Sequence, residues 1–389
     1  MAKPRRVLGL IVNPVAGLGG RVGLKGSDGA EIQRRARELG ALPEALNRTA
    51  QALRPLERLK DRCVVVTYPR EMGEDVARAC GLEPVVVGSI EPGRTTAEDT
   101  RRAAQDLSRF PADLILFAGG DGTARDVYTA IGGSVPVLGL PAGVKIQSAV
   151  YAIHPASAGE LAALYLEGKA TVLRDAEVLD LDEAAYRQGI VSPRLYGYLR
   201  IPFERGLVQN RKAPSPLSER GACESIAWAV IDRMQAGWLY IVGPGTTTQP
   251  VLANLGLPKT LIGVDVVCDR QLLAADANEA RLLELIENRS AMIVITPIGG
   301  QGYLFGRGNQ QLSPAVIRAV GKSNILVVST VDKIHSLQGR PLLVDTGDLD
   351  LDRLLAGYIQ VITGRGERIV YRVAGGDPPF PPVWGGDPR

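Results

Sequence analysis

Five short runs of almost uninterrupted apolar residues, RRVLGLIVNP, RCVVVTYP, PVVVGSI, DLILFAGG and VPVLGLPAG, fall within the first 145 residues. Between them lie stretches with apolar residues at helical intervals, such as AEIQRRARELG, EMGEDVARACG and TTAEDTRRAAQDLSRF. An apolar strand without polar alternation needs cover on both faces, and helices placed between such strands supply it. The pattern predicts a parallel sheet wrapped by helices, an α/β domain over residues 1–145. TTAEDT opens its helix with threonine caps and acidic residues, and arginines follow later, as the helix dipole favours.

After Gly143 the rhythm changes. ASAGELAALYLEG reads as a helix, but TVLRDAEVLDLDE and LYGYLRIPF alternate as half-buried antiparallel strands do. RKAPSPLSERG is a polar loop, ESIAWAVIDRM a helix, and GWLYIVG, TLIGVDVVC, AMIVITPIGG and NILVVST are further apolar strands. The expected organisation is a second, β-rich domain over 146–375 whose end packs back on the first, then an irregular tail over 376–389. No internal repeat is visible.

The net charge of +3 is too close to balance to argue for nucleic acid or an anionic membrane as partner. No apolar stretch is long enough to span a bilayer, and the apolar run after the basic start is short and ends at Asn13-Pro14, as a first strand does and a signal peptide does not. Cys63, Cys80, Cys223 and Cys268 form no CxxC pair, so a reduced, cytoplasmic protein is expected. With only His154 and His335, a histidine-rich metal site is excluded, and no metal-ligating residues are assigned. His154 reads as a residue before a helix and His335 as a solvated loop residue. GxSxG, GxxxxGK[ST] and a GxGxxG after the first strand are missing, which disfavours a hydrolase elbow, a P-loop and a dinucleotide fingerprint.

The chemistry is carried by loops at strand ends. In GGDGT, Gly119, Gly120 and Gly122 would let main-chain N–H groups approach an anion, and Thr123 can donate or accept at the helix start. Asp121 is the odd member, since a carboxylate beside phosphate is repelled unless a cation intervenes or it takes a proton from the attacking hydroxyl. The alternative is a tight turn with Asp121 as helix cap. NPVAGLGGRVGLKGSDG holds Asn13, Lys25, Ser27 and Asp28, in either a ligand-approaching loop or a flexible flap. PAGVK sets Lys145 beyond another strand, facing phosphate or solvent. GPGTTTQP offers Gly245 and Thr246 to Thr248, for anion binding, helix capping or both.

GGDGT after DLILFA resembles the superfamily of NAD kinases, diacylglycerol and sphingosine kinases, and phosphofructokinases. With NPVAGLGG, LKGSDG, TTAEDT and LPAGVK in order, most of the chain looks like the ATP-NAD kinase-related family that includes the acetoin catabolism protein X group. The resemblance implies a parallel-sheet, NAD kinase/phosphofructokinase-like nucleotide-binding domain, a β-rich second domain and a ligand between them. It implies Asp121 as the base that activates the ribose 2′-hydroxyl of NAD, with ATP as donor and Mg²⁺ neutralising it. Lys145 and Arg125 would be charge partners, and Asn13, the GGDGT loop, Gly245, Thr246, Thr247, and Gly299 and Gly300 of ITPIGG would hold phosphates. Nucleotides would be its small-molecule partners, and a homo-oligomer, dimer or higher, is the expected assembly. Two departures stand out. The Asn-Glu or Asn-Asp pair of NAD kinases has no clear counterpart near LYGYLRIPF, and GPGTTTQP replaces a TPTGSTAY-like segment. Hence a kinase for another hydroxylated small molecule, or a nucleotide-binding regulator without turnover, are the rival expectations.

Overall fold

The computed structural model describes residues 5–27, 29–181, 193–204, 206–209 and 220–375. Asp28, most of the RKAPSPLSERG loop and the 376–389 tail lie outside the described residues.

The first sheet is parallel throughout, in the order β3-β2-β1-β4-β5. Its strands are β1 (Arg6–Val12), β2 (Cys63–Thr67), β3 (Val85–Val86), β4 (Leu114–Gly119) and β5 (Val137–Pro141). Every residue of β4 is buried, which is why its sequence carries no polar alternation. Helices α1 (Ala30–Glu38), α2 (Ala45–Leu53), α3 (Glu74–Ala79), α4 (Ala97–Arg109) and α5 (Asp121–Ile131) connect the strands. Thr96 and Asp99 close a capping box at the start of α4. The chain runs from β1 to one edge through β2 and β3, then returns to β4 and runs to the other edge. The order therefore reverses between β1 and β4, and an open α/β sheet binds ligands beyond the carboxyl ends of its strands at such a point.

Helix α6 (Pro155–Leu166) and the antiparallel hairpin of β6 (Leu173–Leu181) and β7 (Pro193–Pro202) follow. Their apolar side chains join the first sheet's core, which runs from Leu8 to Val208. Beyond α7 (Arg220–Ile231), a nine-stranded mixed sheet forms in the order β10-β9-β8-β11-β13-β15-β16-β14-β12. Its strands are β8 (Leu239–Val242), β9 (Asp265–Cys268), β10 (Gln271–Ala274), β11 (Ala291–Ile295), β12 (Tyr303–Phe305), β13 (Ile325–Val328), β14 (Leu342–Val344), β15 (Gly357–Gly364) and β16 (Glu367–Gly375). Along β8, Leu239 and Ile241 feed one core while Tyr240 and Val242 feed another, so this sheet too is covered on both faces. The second domain is β-rich as expected, but β8, β11, β13 and β15 are parallel. Among the described residues no helix is long and apolar enough to cross a membrane.

The two halves meet through buried polar contacts. Asp345, just after β14, pairs with Arg48 of α2 and lies 3.0 Å from Arg307 and 4.0 Å from His154. Lys25 of the glycine-rich loop pairs with Asp276 of the second half.

Candidate active site at the switch point of the first sheet

A cleft of about 320 Å³ opens where the sheet order reverses. One wall is Asn13 and the glycine-rich loop after β1, another is the start of α5, and a third is Gly143 to Lys145 after β5. Asn13 ties the first two together. Its Oδ1 accepts from the Val15 N–H at 3.2 Å and its Nδ2 donates to Thr123 Oγ1 at 2.9 Å.

Gly120 is the N-cap of α5 and Asp121 the first helical residue, so the alternative reading, in which Asp121 caps its own helix, does not hold. Its side chain turns instead to the segment after β5. Oδ2 accepts from the Gln147 N–H at 2.7 Å and Oδ1 from the Ser148 N–H at 3.0 Å. Asp121 is 5% exposed and still borders the cleft. Burial pushes its carboxyl up to about 7, and the charge of Asp180 adds to the rise, while the Ser148 and Gln147 donors hold it back. A carboxylate oxygen has two lone pairs, so one amide bond on each leaves acceptor capacity for a substrate hydroxyl.

The glycines here answer first to the protein's own packing. A Cβ on Gly119 would lie 2.3 Å from Thr123 Oγ1, and one on Gly143 would lie 2.5 Å from Gly120 Cα. The backbones after β4 and β5 thus touch each other, an intramolecular reason for glycine that the sequence reading did not weigh. Gly120, Gly122 and Thr123 nevertheless line the cleft, at a helix start whose first N–H groups lack intrahelical acceptors.

Two cations border the same space. Lys145 is half-buried in the cleft wall, not on the outer surface. Arg125 donates to Asp180 of β6 at 2.7 Å, and both line the cleft. Gln33, Thr95, Thr96 and Asp126 also border it, as does Ser27. Sequence reasoning singled out none of Gln147, Ser148 and Asp180 for the site. Asp180 carried a signal, an acid at an inward position of an alternating strand, whereas Gln147 and, for its closest bond, Ser148 act through main-chain N–H groups that leave no trace in residue type.

The loops of the second domain lie elsewhere. Gly245, Thr246, Thr247, Gly299 and Gly300 are not among the described residues lining the cleft. They follow β8 and β11, where Thr247 Oγ1 accepts from Lys333 Nζ at 2.8 Å and Thr248 Oγ1 donates to the Gly243 carbonyl at 2.8 Å. Gly300 borders a different cavity of about 700 Å³, between the β6–β7 hairpin and second-domain loops that include Ser336 and Arg340. Among the described residues no three His, Cys, Asp or Glu side chains gather as a metal site would require.

Residues 8–170 match the family model of the ATP-NAD kinase N-terminal domain, and residues 238–373 match that of the ATP-NAD kinase C-terminal domain. No curated protein matches the chain. Two solved structures from Bacillus anthracis str. Sterne, each described as a "putative diacylglycerol kinase", are similar at 14% identity over 46% of this chain, with a TM-score of 0.25. The alignments cover 44% and 46% of those chains, so less than half of their length is matched.

Proposed function

The chain belongs to the ATP-NAD kinase-related family of phosphotransferases, and from that premise we propose that it transfers the γ-phosphate of ATP to the 2′-hydroxyl of NAD. The observation that carries the reading is Asp121, a buried carboxylate at the cleft floor, held by two main-chain amides and pushed up to about 7. A base with that value is half-ionised near neutrality, where it can both take a proton and release it. Asp121 accepts the proton of the attacking hydroxyl as the oxygen closes on phosphorus. The helix start at Gly120 to Thr123 and Lys145 line this cleft and would meet the phosphate oxygens there. Mg²⁺, carried on the donor's phosphates, would neutralise their charge, and no residue of this chain is assigned to it. Arg125, engaged with Asp180, forms the wall toward β6 and would orient the acceptor. In this reading ATP, Mg²⁺ and NAD are the small-molecule partners of a cytoplasmic homo-oligomer.

The test follows label from γ-labelled ATP with Mg²⁺ and NAD. Labelled NADP is expected. Label on another hydroxylated small molecule would keep the kinase and replace its acceptor. Saturable nucleotide binding with no transfer to any acceptor would favour a regulator without turnover.

A further inference from the structure

The Gly-Gly-Gln-Gly turn after β11 holds two glycines that the sequence picks out, yet neither lines the Asp121 cleft. What the turn delivers is Gln301. Gly300 and Gly302 stand at φ 75° and 86°, conformations that side chains disfavour. The turn is closed by the Gly302 N–H on the Ile298 carbonyl at 2.7 Å and the Ile298 N–H on the Tyr303 carbonyl at 3.0 Å. The Gly300 N–H donates to Ser336 Oγ at 3.1 Å and anchors it to the second domain. From its tip Gln301, 4% exposed, crosses to the segment after β5 and donates from Nε2 to the Ile146 carbonyl at 3.1 Å.

That carbonyl belongs to the same peptide unit as the Gln147 N–H, the donor 2.7 Å from Asp121 Oδ2. A donor on the carbonyl end of an amide polarises its N–H end and fixes the plane in which that N–H points. Ser148, the residue whose N–H is the other donor on Asp121, is held by groups that precede the second sheet. Ser148 Oγ bonds both main-chain groups of Leu179, and Gln209 Nε2 donates to the Ser148 carbonyl. One of the two donors on Asp121 is therefore secured by the first half of the chain and the other from the second domain.

We propose that Gln301 is a positioning residue, through which seating of the second domain orients and strengthens the Gln147 donor on Asp121. The inference rests on Asp121 as the base. Withdrawal of the second domain would remove the brace and make the carboxyl harder to ionise, so a smaller share of the base would be ionised near neutrality until the halves are seated. Asp121 also feels the Ser148 hydroxyl, Asp180 of β6 and Tyr151, whose hydroxyl donates to the Gly120 carbonyl, while Lys145 and Arg125, the partner of Asp180, line the same cleft. A substitution at Gln301 alters none of them. Amide donors stabilise the ionised carboxylate, so weakening one raises its titration midpoint.

The experiment needs neither nucleotide nor acceptor. The full chain is labelled with ¹³C at aspartate side-chain carboxyls, and the Asp121 signal is assigned by its loss in Asp121→Asn. Gln301→Met removes the donor at similar volume, and Gln301→Asn withdraws it by one methylene with less demand on packing. In folded protein, both are expected to move the Asp121 midpoint upward by about half a pH unit or more. An unchanged midpoint in whichever of the two folds would overturn the proposal and leave the base reading intact. Wild-type transfer by Asp121→Asn would instead overturn the base reading, whatever the midpoints do.

Discussion

Asp121 and Asp345 are each 5% exposed, and each stands just beyond a strand, β4 in the first sheet and β14 in the second. Their settings are opposite. Asp121 accepts from two neutral main-chain amides, and burial, with Asp180 nearby, lifts it to about 7. Burial also pushes Asp345 upward, but the Arg48 and Arg307 guanidiniums outweigh it, His154 adds to their effect, and the carboxyl is held well below the usual range. Exposure alone therefore says nothing about role. The charge of the partners decides whether a buried carboxylate can exchange a proton near neutrality or serves as a fixed anion that ties two domains together.

The most damaging way to break the comparison is Asp121→Asn, which keeps the shape and removes the proton acceptor. We expect kcat to fall on the order of a hundred- to ten-thousandfold, with nucleotide-induced thermal stabilisation retained. Unchanged kcat would remove Asp121 from the chemistry. The two carboxylates also set opposite slopes of stability against pH. Asp121 titrates at about 7 in the folded chain against an ordinary 3.8, so its favourable contribution is complete below 3.8 and is lost as pH rises through about 7. Asp345 is depressed, so its contribution is present above 3.8 and is lost as acid brings the pH down through its folded value.

Arg48→Met attacks the other side. It leaves Asp345 buried with Arg307 and His154 but without the α2 guanidinium, and a destabilisation of about 3–5 kcal/mol is expected in denaturant unfolding. A loss within experimental error would mean that Asp345 is not the tie between the halves. Lys145→Met keeps much of the apolar stem and removes the ammonium. A charge-assisted contact is worth about 1.5–3 kcal/mol, so kcat should fall roughly ten- to a hundredfold with little change in NAD affinity. Steady-state kinetics beside calorimetry checks this, and a lysine away from the phosphate would change neither quantity.

The first sheet was legible because its central strands are buried along most of their length and each apolar run closes at a proline or a glycine, which marks the turn. Helix α2 was not read, nor was the β15–β16 hairpin near the end of the chain. The place of Asp121 could be read from GGDGT, but not what holds it, since its donors are main-chain N–H groups. The inter-domain contacts left no local mark either. Arg48 and Asp345 are 297 residues apart, and Gln301 reaches a carbonyl 155 residues away. The loop threonines and glycines after β8 and β11 were grouped with the cleft by resemblance, while the structure sets them at the ends of a second parallel array.

The base assignment meets its most direct test in the pH dependence of kcat/KM for phosphoryl transfer from Mg²⁺-ATP to NAD by the wild-type chain. A general base must be ionised to act, so the rate should rise with pH and pass half-maximum at about 7, the value to which burial lifts Asp121. A rate independent of pH between about 5 and 9 would contradict it.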